Sequence, residues 1–580
     1  MPTPPPLSRA GSRESRLGRA LIVASAVYLA AALVLFAFCA PFHFRILGLE
    51  IAFSSLVKPA RLALGLALLG GLFHFIGEKK RRPDLTFNRF GAEIGSAFQR
   101  GIAPFRRCVS FAPALALLFL GVYCVGYKVR QQLTFDTGAL DLSLIDHALY
   151  NTPHGKFLHA YSLDRNYFSD HFSPILLPIV PLYLLWSSPA VLLAIQGLAA
   201  AAAAGALART AREGGLPRGI ALLAGLIFVF HPKYWEGFRF DFHHELLFPP
   251  LLFLAVSCLN RRRFARFFLL CLAALTIKED VSLYFVFLGL YVALRHSRRW
   301  GAAQAVVSAA WALAAFCLII PRSFPEPQAV SHFVSRYQHL GSGYLGIVGG
   351  IISSFPQLAG KTLAAAFRLL LPSLLYLPLL SPGYFILGLF PIGLNVISGY
   401  DYQASLGAYY GVMGLSFFAL GFVDVLGRLS RRSPAGLAAA AVIALYLAVG
   451  LEIPLWRPIL ASDRALERAL SGLPGERKTI SAQSVIVPHL PREDRIYVFP
   501  RVEEADLVLL YLRPGRIATW PLEPPAYFRE IKKLLGNGDF RVLLFNGSAL
   551  FLERGRRDPI SSRAALSVIK ERGRMETYDP

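Results

Sequence analysis

Acidic and imidazole side chains crowd into one stretch of an otherwise apolar chain. It begins Phe135-Asp136-Thr137-Gly138-Ala139-Leu140-Asp141 and runs through Asp146, His147, Asn151 and His154 to Ser169-Asp170-His171-Phe172-Ser173-Pro174. Five aspartates and four histidines lie between positions 135 and 174. Asp136 precedes a helical pattern, Leu140, Leu144, Ala148. Its carboxylate is therefore placed either to cap that helix through backbone N–H groups or to serve as a general base or metal ligand beside an acceptor hydroxyl. The two roles are compatible. Asp141 and Asp146 are five residues apart and point in different directions on one helix, so at most one of them shares a pocket with Asp136. Asp141 is the better candidate.

A second cluster, Phe230-His231-Pro232 with Asp241-Phe242-His243-His244-Glu245, stands ahead of another apolar run. His171 alone reads as a hydrogen-bonded interfacial residue. With Asp and His on two neighbouring loops, a divalent cation such as Mg or Mn becomes a candidate cofactor, with Asp136, Asp241 and His243 as candidate ligands. Spacing alone does not bring them together. Lys278-Glu279-Asp280 reads either as a self-neutralising turn between two spans or as a phosphate site, in which Lys278 meets the anion and Glu279 or Asp280 orients it. Asn395, Tyr400, Asp401, Tyr402, Tyr409 and Tyr410 form a further polar and aromatic rim, for which simple membrane anchoring is the plain explanation.

Positioning these groups is the work of apolar segments. Of 580 residues, 55% are hydrophobic and 13% aromatic, and the mean hydropathy is +0.48. The composition is that of a polytopic membrane protein. The net charge of +24 falls largely in short Lys and Arg clusters between apolar runs, where it reads as topology, not as a nucleic-acid surface. The six cysteines lie in apolar segments without CxxC spacing, which argues against a disulfide framework or a zinc site. The sequence has no HExxH, P-loop, dinucleotide fingerprint or readable Ser-His-Asp arrangement.

The first span is expected at about 20–40, uncleaved, with the N-terminus cytoplasmic. The next is at 60–76, succeeded by the basic loop Lys79-Lys80-Arg81-Arg82 and a span at 108–127, so the aspartate loop is outside. The segment 172–186, interrupted by Pro174, Pro178 and Pro181, is read as juxtamembrane, because this keeps the later basic loops inside. Further spans are expected at 189–207, 218–232, 245–260, 264–278, 280–295, 301–320, 364–380, 382–397, 407–427 and 434–453, about thirteen in all. Residues 351–361 read as an interfacial helix. From 456 the pattern changes to strands at 480–487, 495–499, 505–512, 541–545 and 549–552, with a helix at 527–535. The chain thus divides into three parts: 1–107, a two-span extension; 108–455, a transmembrane core with its first large outer loop at 128–172; and 456–580, a small extracytoplasmic α/β domain with the C-terminus outside.

Several motifs in order resemble the predicted-membrane-protein family catalogued as domain of unknown function 2079. They are Phe135-Asp136-x-Gly138-x-x-Asp141, His171-Phe172-Ser173-Pro174, Asp241-Phe242-His243, Lys278-Glu279-Asp280, Asn395-Val396-Ile397-Ser398, and Ser481-Ala482-Gln483-Ser484 through Pro488-His489-Leu490. The resemblance covers about 108–553. The chain departs from it in its two leading spans and in having Tyr409-Tyr410 where a His-Tyr pair is expected. That family in turn resembles, distantly, the GT-C membrane glycosyltransferases. This second resemblance implies a polyprenyl-phosphate sugar donor, Asp136 as the acidic residue of the first outer loop and Asp241 as its second-loop counterpart.

The expectation is a GT-C-like enzyme of the cytoplasmic (inner) membrane that moves a sugar from a polyprenyl phosphate to an extracytoplasmic acceptor. Asp136, Asp141 and Asp241 are its catalytic candidates. His171, His243, Lys278, Glu279, Asp280 and Asn395 are its substrate-binding candidates. The rivals are a transporter or lipid-handling protein, and an inactive assembly or sensor protein.

Overall fold

The computed structural model describes residues 57–91, 106–160, 165–324, 332–433, 458–473, 478–492, 495–513, 517–537 and 539–555, with short pieces at 14–25, 28, 42–46, 49–53, 93, 96, 436–437, 440–441, 443–444 and 565–567. The expected spans at 20–40 and 434–453 lie largely outside the described residues, as does most of the last twenty residues.

Among the described residues, four helices are long and apolar enough to cross a membrane: Phe111–Leu133, Pro189–Glu213, Arg298–Arg322 and Val412–Arg432. The Pro189–Glu213 helix starts where the Ser188 hydroxyl accepts the Ala190 N–H and Pro189 occupies the first turn, a position that needs no N–H donor. Its alanine-rich face lets neighbours approach closely. A Cβ on Gly197 would stand 2.7 Å from backbone atoms of Val125, so this crossing with the Arg106–Leu133 helix needs glycine. Shorter apolar helices, among them Arg218–Val229, His244–Asn260, Phe264–Leu275, Val281–Arg295 and Pro382–Val396, complete the bundle. The segment after the aspartate loop is short, a 3-10 turn at Pro174–Ile179 running into Val180–Leu185.

The span expected at 364–380 is corrected. A helix from Phe355 ends at Leu370, and the chain continues as two 3-10 turns, Pro372–Leu374 and Leu377–Leu380. Leu375 and Tyr376 between them have positive φ. Pro372 and Pro378 remove two N–H donors from the stretch, which prevents a continuous helix. The expected interfacial helix at 351–361 is likewise two helices, broken at Ser354 ahead of Pro356.

The C-terminal part is a five-stranded sheet in the order Arg495–Val498, Thr479–Ala482, Leu507–Tyr511, Ala549–Arg554, Phe540–Phe545. The first three strands are parallel and the last two antiparallel to their neighbours. Every residue of the central Leu507–Tyr511 strand is buried. Val508 and Leu510 pack with the Pro524–Gly536 helix. Leu507, Leu509 and Tyr511 face the other way, onto Leu466 of the Ala461–Ser471 helix. A strand covered on both faces reads as an unbroken apolar run, as here. Phe135 and Ala139 of the aspartate loop belong to that second face's core, so the loop is packed into the sheet layer.

Candidate functional site

The aspartate loop leaves the Arg106–Leu133 helix through Phe135, whose φ is +50°, a conformation that costs a bulky residue about 1–3 kcal/mol and persists only where its surroundings hold it. They do hold it. The Phe135 ring stacks on His489 with centroids 4.0 Å apart and meets Tyr511 edge-on at 5.6 Å. Burial pushes the His489 imidazole down to about 3, so a neutral ring lies against Phe135. The helix beyond begins at Gly138 without a side-chain cap. Its first N–H groups go elsewhere: Gly138 donates to Asp241 Oδ2 at 2.8 Å, and Ala139 donates to Ser484 Oγ at 3.0 Å.

Asp136 and Asp241 both line one cavity of about 1050 Å³ between the helices and the sheet layer. Its walls include the rings of Tyr127, Phe135, Trp235, Phe240, Tyr402, Tyr511 and Trp520, together with Arg239, Arg513 and Gln483. Lys128 lies beneath it, fully buried, and donates to the carbonyls of Phe238 and Phe240 at 3.1 and 2.5 Å. Those carbonyls end the Pro232–Arg239 helix, so the ammonium caps it and fixes the backbone entering Asp241. Burial raises the Asp241 carboxyl above the ordinary carboxylate range, with Lys128 opposing the shift.

The remaining candidates divide. His171, Lys278, Glu279, Asp280 and Asn395 line a second, inner cavity with Glu245, Arg336, Gln403, Tyr409 and Tyr410. It measures about 30 Å³, room for roughly two water molecules. Lys278 and Glu279 are buried at 6% and 2% exposure, so this turn is part of the interior and not a solvated link. Lys278 Nζ lies 2.6 Å from Glu245 Oε1. Glu279 takes His171 Nδ1 at 3.0 Å and the Phe172 N–H at 2.9 Å. Asn395 donates to the carbonyls of Pro391 and Tyr410 and accepts from Gln403.

The segment 241–245 links the cavities, with Asp241 on the outer one and Glu245 on the inner one. Between them the His243 ring stacks on Tyr409 with centroids 3.4 Å apart. Its Nδ1 contacts Glu245, and its Nε2 lies 3.5 Å from Asp141 Oδ1. Asp141 therefore approaches His243 and does not line the cavity of Asp136. Asp146 is separate again: it is buried, and it pairs with Arg492 at 2.6 and 3.0 Å and with the Tyr183 hydroxyl at 2.9 Å.

The expected metal ligands do not converge. Among the described residues, the donor atoms that gather within 4.8 Å are those of His243, His244 and Glu245, not the set Asp136, Asp241 and His243. Glu245 already faces the Lys278 ammonium and His243. Positive charge thus stands where a Mg or Mn ion would need open carboxylate oxygens, and the arrangement does not fit one.

Reading the sequence missed Lys128, Arg239, Arg336 and Arg513 as members of these sites, and it placed Glu245 and Ser484 only within the motifs at 241–245 and 481–490, without a role for either. Lys128 carried a signal, a cation near the end of an apolar helix. Ser484 stands in one of the ordered motifs, but its partner does not follow from that, because a contact across 345 residues is a tertiary fact.

The sequence profile described as Predicted membrane protein (DUF2079) matches residues 132–531. The chain belongs to this family. The match takes in the inner cavity, most of the outer one and three of the five strands of this DUF2079 protein. No curated protein matches its sequence. Among solved structures, ArnT from Cupriavidus metallidurans bound to undecaprenyl phosphate is similar at 11% identity and a TM-score of 0.43, over 76% of this chain and 98% of that one. Apo ArnT from the same organism is similar at 12% identity and a TM-score of 0.37, with the same coverage.

Proposed function

We propose that this protein is a GT-C-like membrane glycosyltransferase that moves a sugar from a polyprenyl-phosphate donor to an acceptor at the extracytoplasmic face of the inner membrane, with the sheet layer on that side and the N-terminus in the cytoplasm. The observation that carries the reading is the outer cavity. Two carboxylates, Asp136 and Asp241, meet seven aromatic rings, two arginines and planar amides in a space of about 1050 Å³ beside apolar helices. Aromatic faces with planar hydrogen-bonding groups suit a sugar ring, and the helices suit a lipid carrier.

In this reading Asp136 takes the proton from the acceptor hydroxyl as its oxygen bonds to the anomeric carbon. The bond from that carbon to the phosphate oxygen breaks, and its electron pair leaves with the lipid phosphate. Arg239 lines the cavity to meet the anion, and Arg513, on the same lining, is itself paired with Asp463 at 3.4 Å. Lys278 and His171, expected in that role, are engaged with Glu245 and Glu279. They serve instead to build the inner cavity.

The test is transfer of labelled sugar from polyprenyl-phosphate donors by purified protein in lipid, wild type against Asp136→Asn. Loss of a general base costs about 10²–10⁴-fold. Activity in the variant equal to wild type sinks the assignment of Asp136. The inner cluster of Glu245, Lys278, Glu279 and Asp280 keeps a second reading open, a transporter or lipid-handling protein with ionisable groups buried among its helices. Substrate-dependent flux through liposomes, in the absence of any transfer, would select it.

A further inference from the structure

The Phe135 and Asp136 N–H groups close onto the Gln132 and Gln131 carbonyls of the helix they leave, but the residues on either side of Asp136 are also held from outside that helix. Phe135 stacks on His489. The Thr137 hydroxyl donates to Gln132 Oε1 at 2.7 Å, and Gln132 Nε2 donates to the Pro488 carbonyl at 3.1 Å. Ala139 donates to Ser484 Oγ. Three neighbours of Asp136 are thus tied to residues 484–489 of the sheet layer, and the fourth, Gly138, is tied to Asp241. Ser484 is itself buried at 7% exposure. It stands so close that a Cβ on Gly138 would come within 3.2 Å of its Oγ. A loop that starts from a left-handed Phe135 keeps this conformation only while its partners hold it.

We propose that Ser484, at the head of the 484–489 segment, is a positioning residue for the Asp136 loop, so that the sheet layer sets where the carboxylate stands in the outer cavity instead of merely recruiting an acceptor. This rests on the transferase reading for the consequence in catalysis, while the holding of the loop does not depend on it. The hydroxyl of Ser484 and the carboxylate of Asp241 take successive N–H groups from opposite walls. Loss of the hydroxyl leaves the Ala139 N–H without its acceptor and lets this end of the loop move, with the rest of the sheet in place.

The experiment uses the full chain in lipid nanodiscs and compares wild type, Ser484→Ala and Ser484→Thr. Amide exchange is followed over residues 132–143 and, as a folding control, over the Leu507–Tyr511 strand. Transfer kinetics are measured on the same samples. Ser484→Ala is expected to speed exchange at 132–143 and to lower kcat, each on the order of tenfold, as for one lost buried hydrogen bond. Donor KM and strand exchange should stay unchanged, and Ser484→Thr should restore both losses. Should Ser484→Ala also loosen the strand, Gln132→Leu breaks the Pro488 bridge from the loop side and gives the same readout. Unchanged exchange at 132–143 in Ser484→Ala, or in Gln132→Leu where that variant is the one read, overturns the proposal. Faster exchange with a wild type that transfers no sugar supports the holding of the loop and overturns the transferase reading alone.

Discussion

Asp241 Oδ2 accepts the N–H of Gly138 at 2.8 Å across 103 residues of sequence. One carboxylate of the outer cavity therefore fixes the backbone that carries the other. Asp241→Asn keeps an acceptor oxygen but removes the charge, whereas Asp241→Ala removes both. The Asn variant is expected to lose transfer by about 10²-fold with amide exchange at 132–143 unchanged. The Ala variant should lose transfer and loosen the loop. Equal exchange in the two variants would show that the hydrogen bond does not hold Gly138.

Gly138 is a matter of space. Its backbone is extended, yet a Cβ would lie 3.1 Å from Asp241 Oδ2 and 3.2 Å from Ser484 Oγ. Gly138→Ala should push the two walls apart by a few tenths of an ångström and cost transfer roughly tenfold by misplacing Asp136, with little change in thermal stability. Single-turnover kinetics and a melting curve together test this, and undiminished turnover would contradict it.

Lys128→Met replaces a buried ammonium by an apolar side chain of similar length. The carbonyls of Phe238 and Phe240 then lose their donor, at a cost of about 1–3 kcal/mol. The expected outcome is a lower melting temperature together with weaker transfer, because the segment entering Asp241 loses its cap. Retention of both properties would deny Lys128 that role.

Arg492 and Asp146 join the sheet layer to the helix after the aspartate loop. Arg492→Met leaves a buried carboxylate with only the Tyr183 hydroxyl, a loss of about 3–5 kcal/mol. Adding Asp146→Asn should return most of that stability, since the stranded charge is then gone. A double variant no more stable than the single one would argue against an ion pair of this strength.

In the turn that lines the inner cavity, burial raises the Glu279 carboxyl toward neutrality, with Lys278 opposing. A carboxyl raised in the folded state binds its proton more tightly folded than unfolded. Its contribution to stability is therefore complete below the ordinary carboxylate pKa near 4 and is lost as pH rises through the raised value. Thermal stability is expected to decline between about pH 4 and neutrality through this group, and the decline should flatten in Glu279→Gln. An identical slope in the variant would exclude Glu279 as its source.

Much of the architecture was legible without coordinates. Four of the five C-terminal strands and the Pro524–Gly536 helix start and end within three residues of their expected places, because alternating burial and turn residues are local signals, whereas the strand expected at 480–487 ends at Ala482 and gives way to turns and a 3-10 helix at Val487–His489. The failure at 364–380 is instructive: hydropathy described an apolar run, but Pro372 and Pro378 decided its shape. Apolar composition sets burial, and backbone donors set helicity. The helix Ala461–Ser471 escaped notice because its charged face hides a narrow apolar stripe.

The residue types of the site were determined by the sequence alone, since aspartate, histidine and lysine in a chain poor in charge mark themselves. Membership of the family was legible there too, in the order of short motifs. Only the tertiary structure sorted those residues into two cavities, set Asp136 with Asp241, turned Asp141 toward His243, and brought Ser484 and His489 against the loop. The reason is physical. Spacing along a helix or strand constrains neighbours within about a turn, whereas the contacts that partition this site span 33 to 356 residues. Such contacts exist only once apolar faces far apart in the chain have packed against one another.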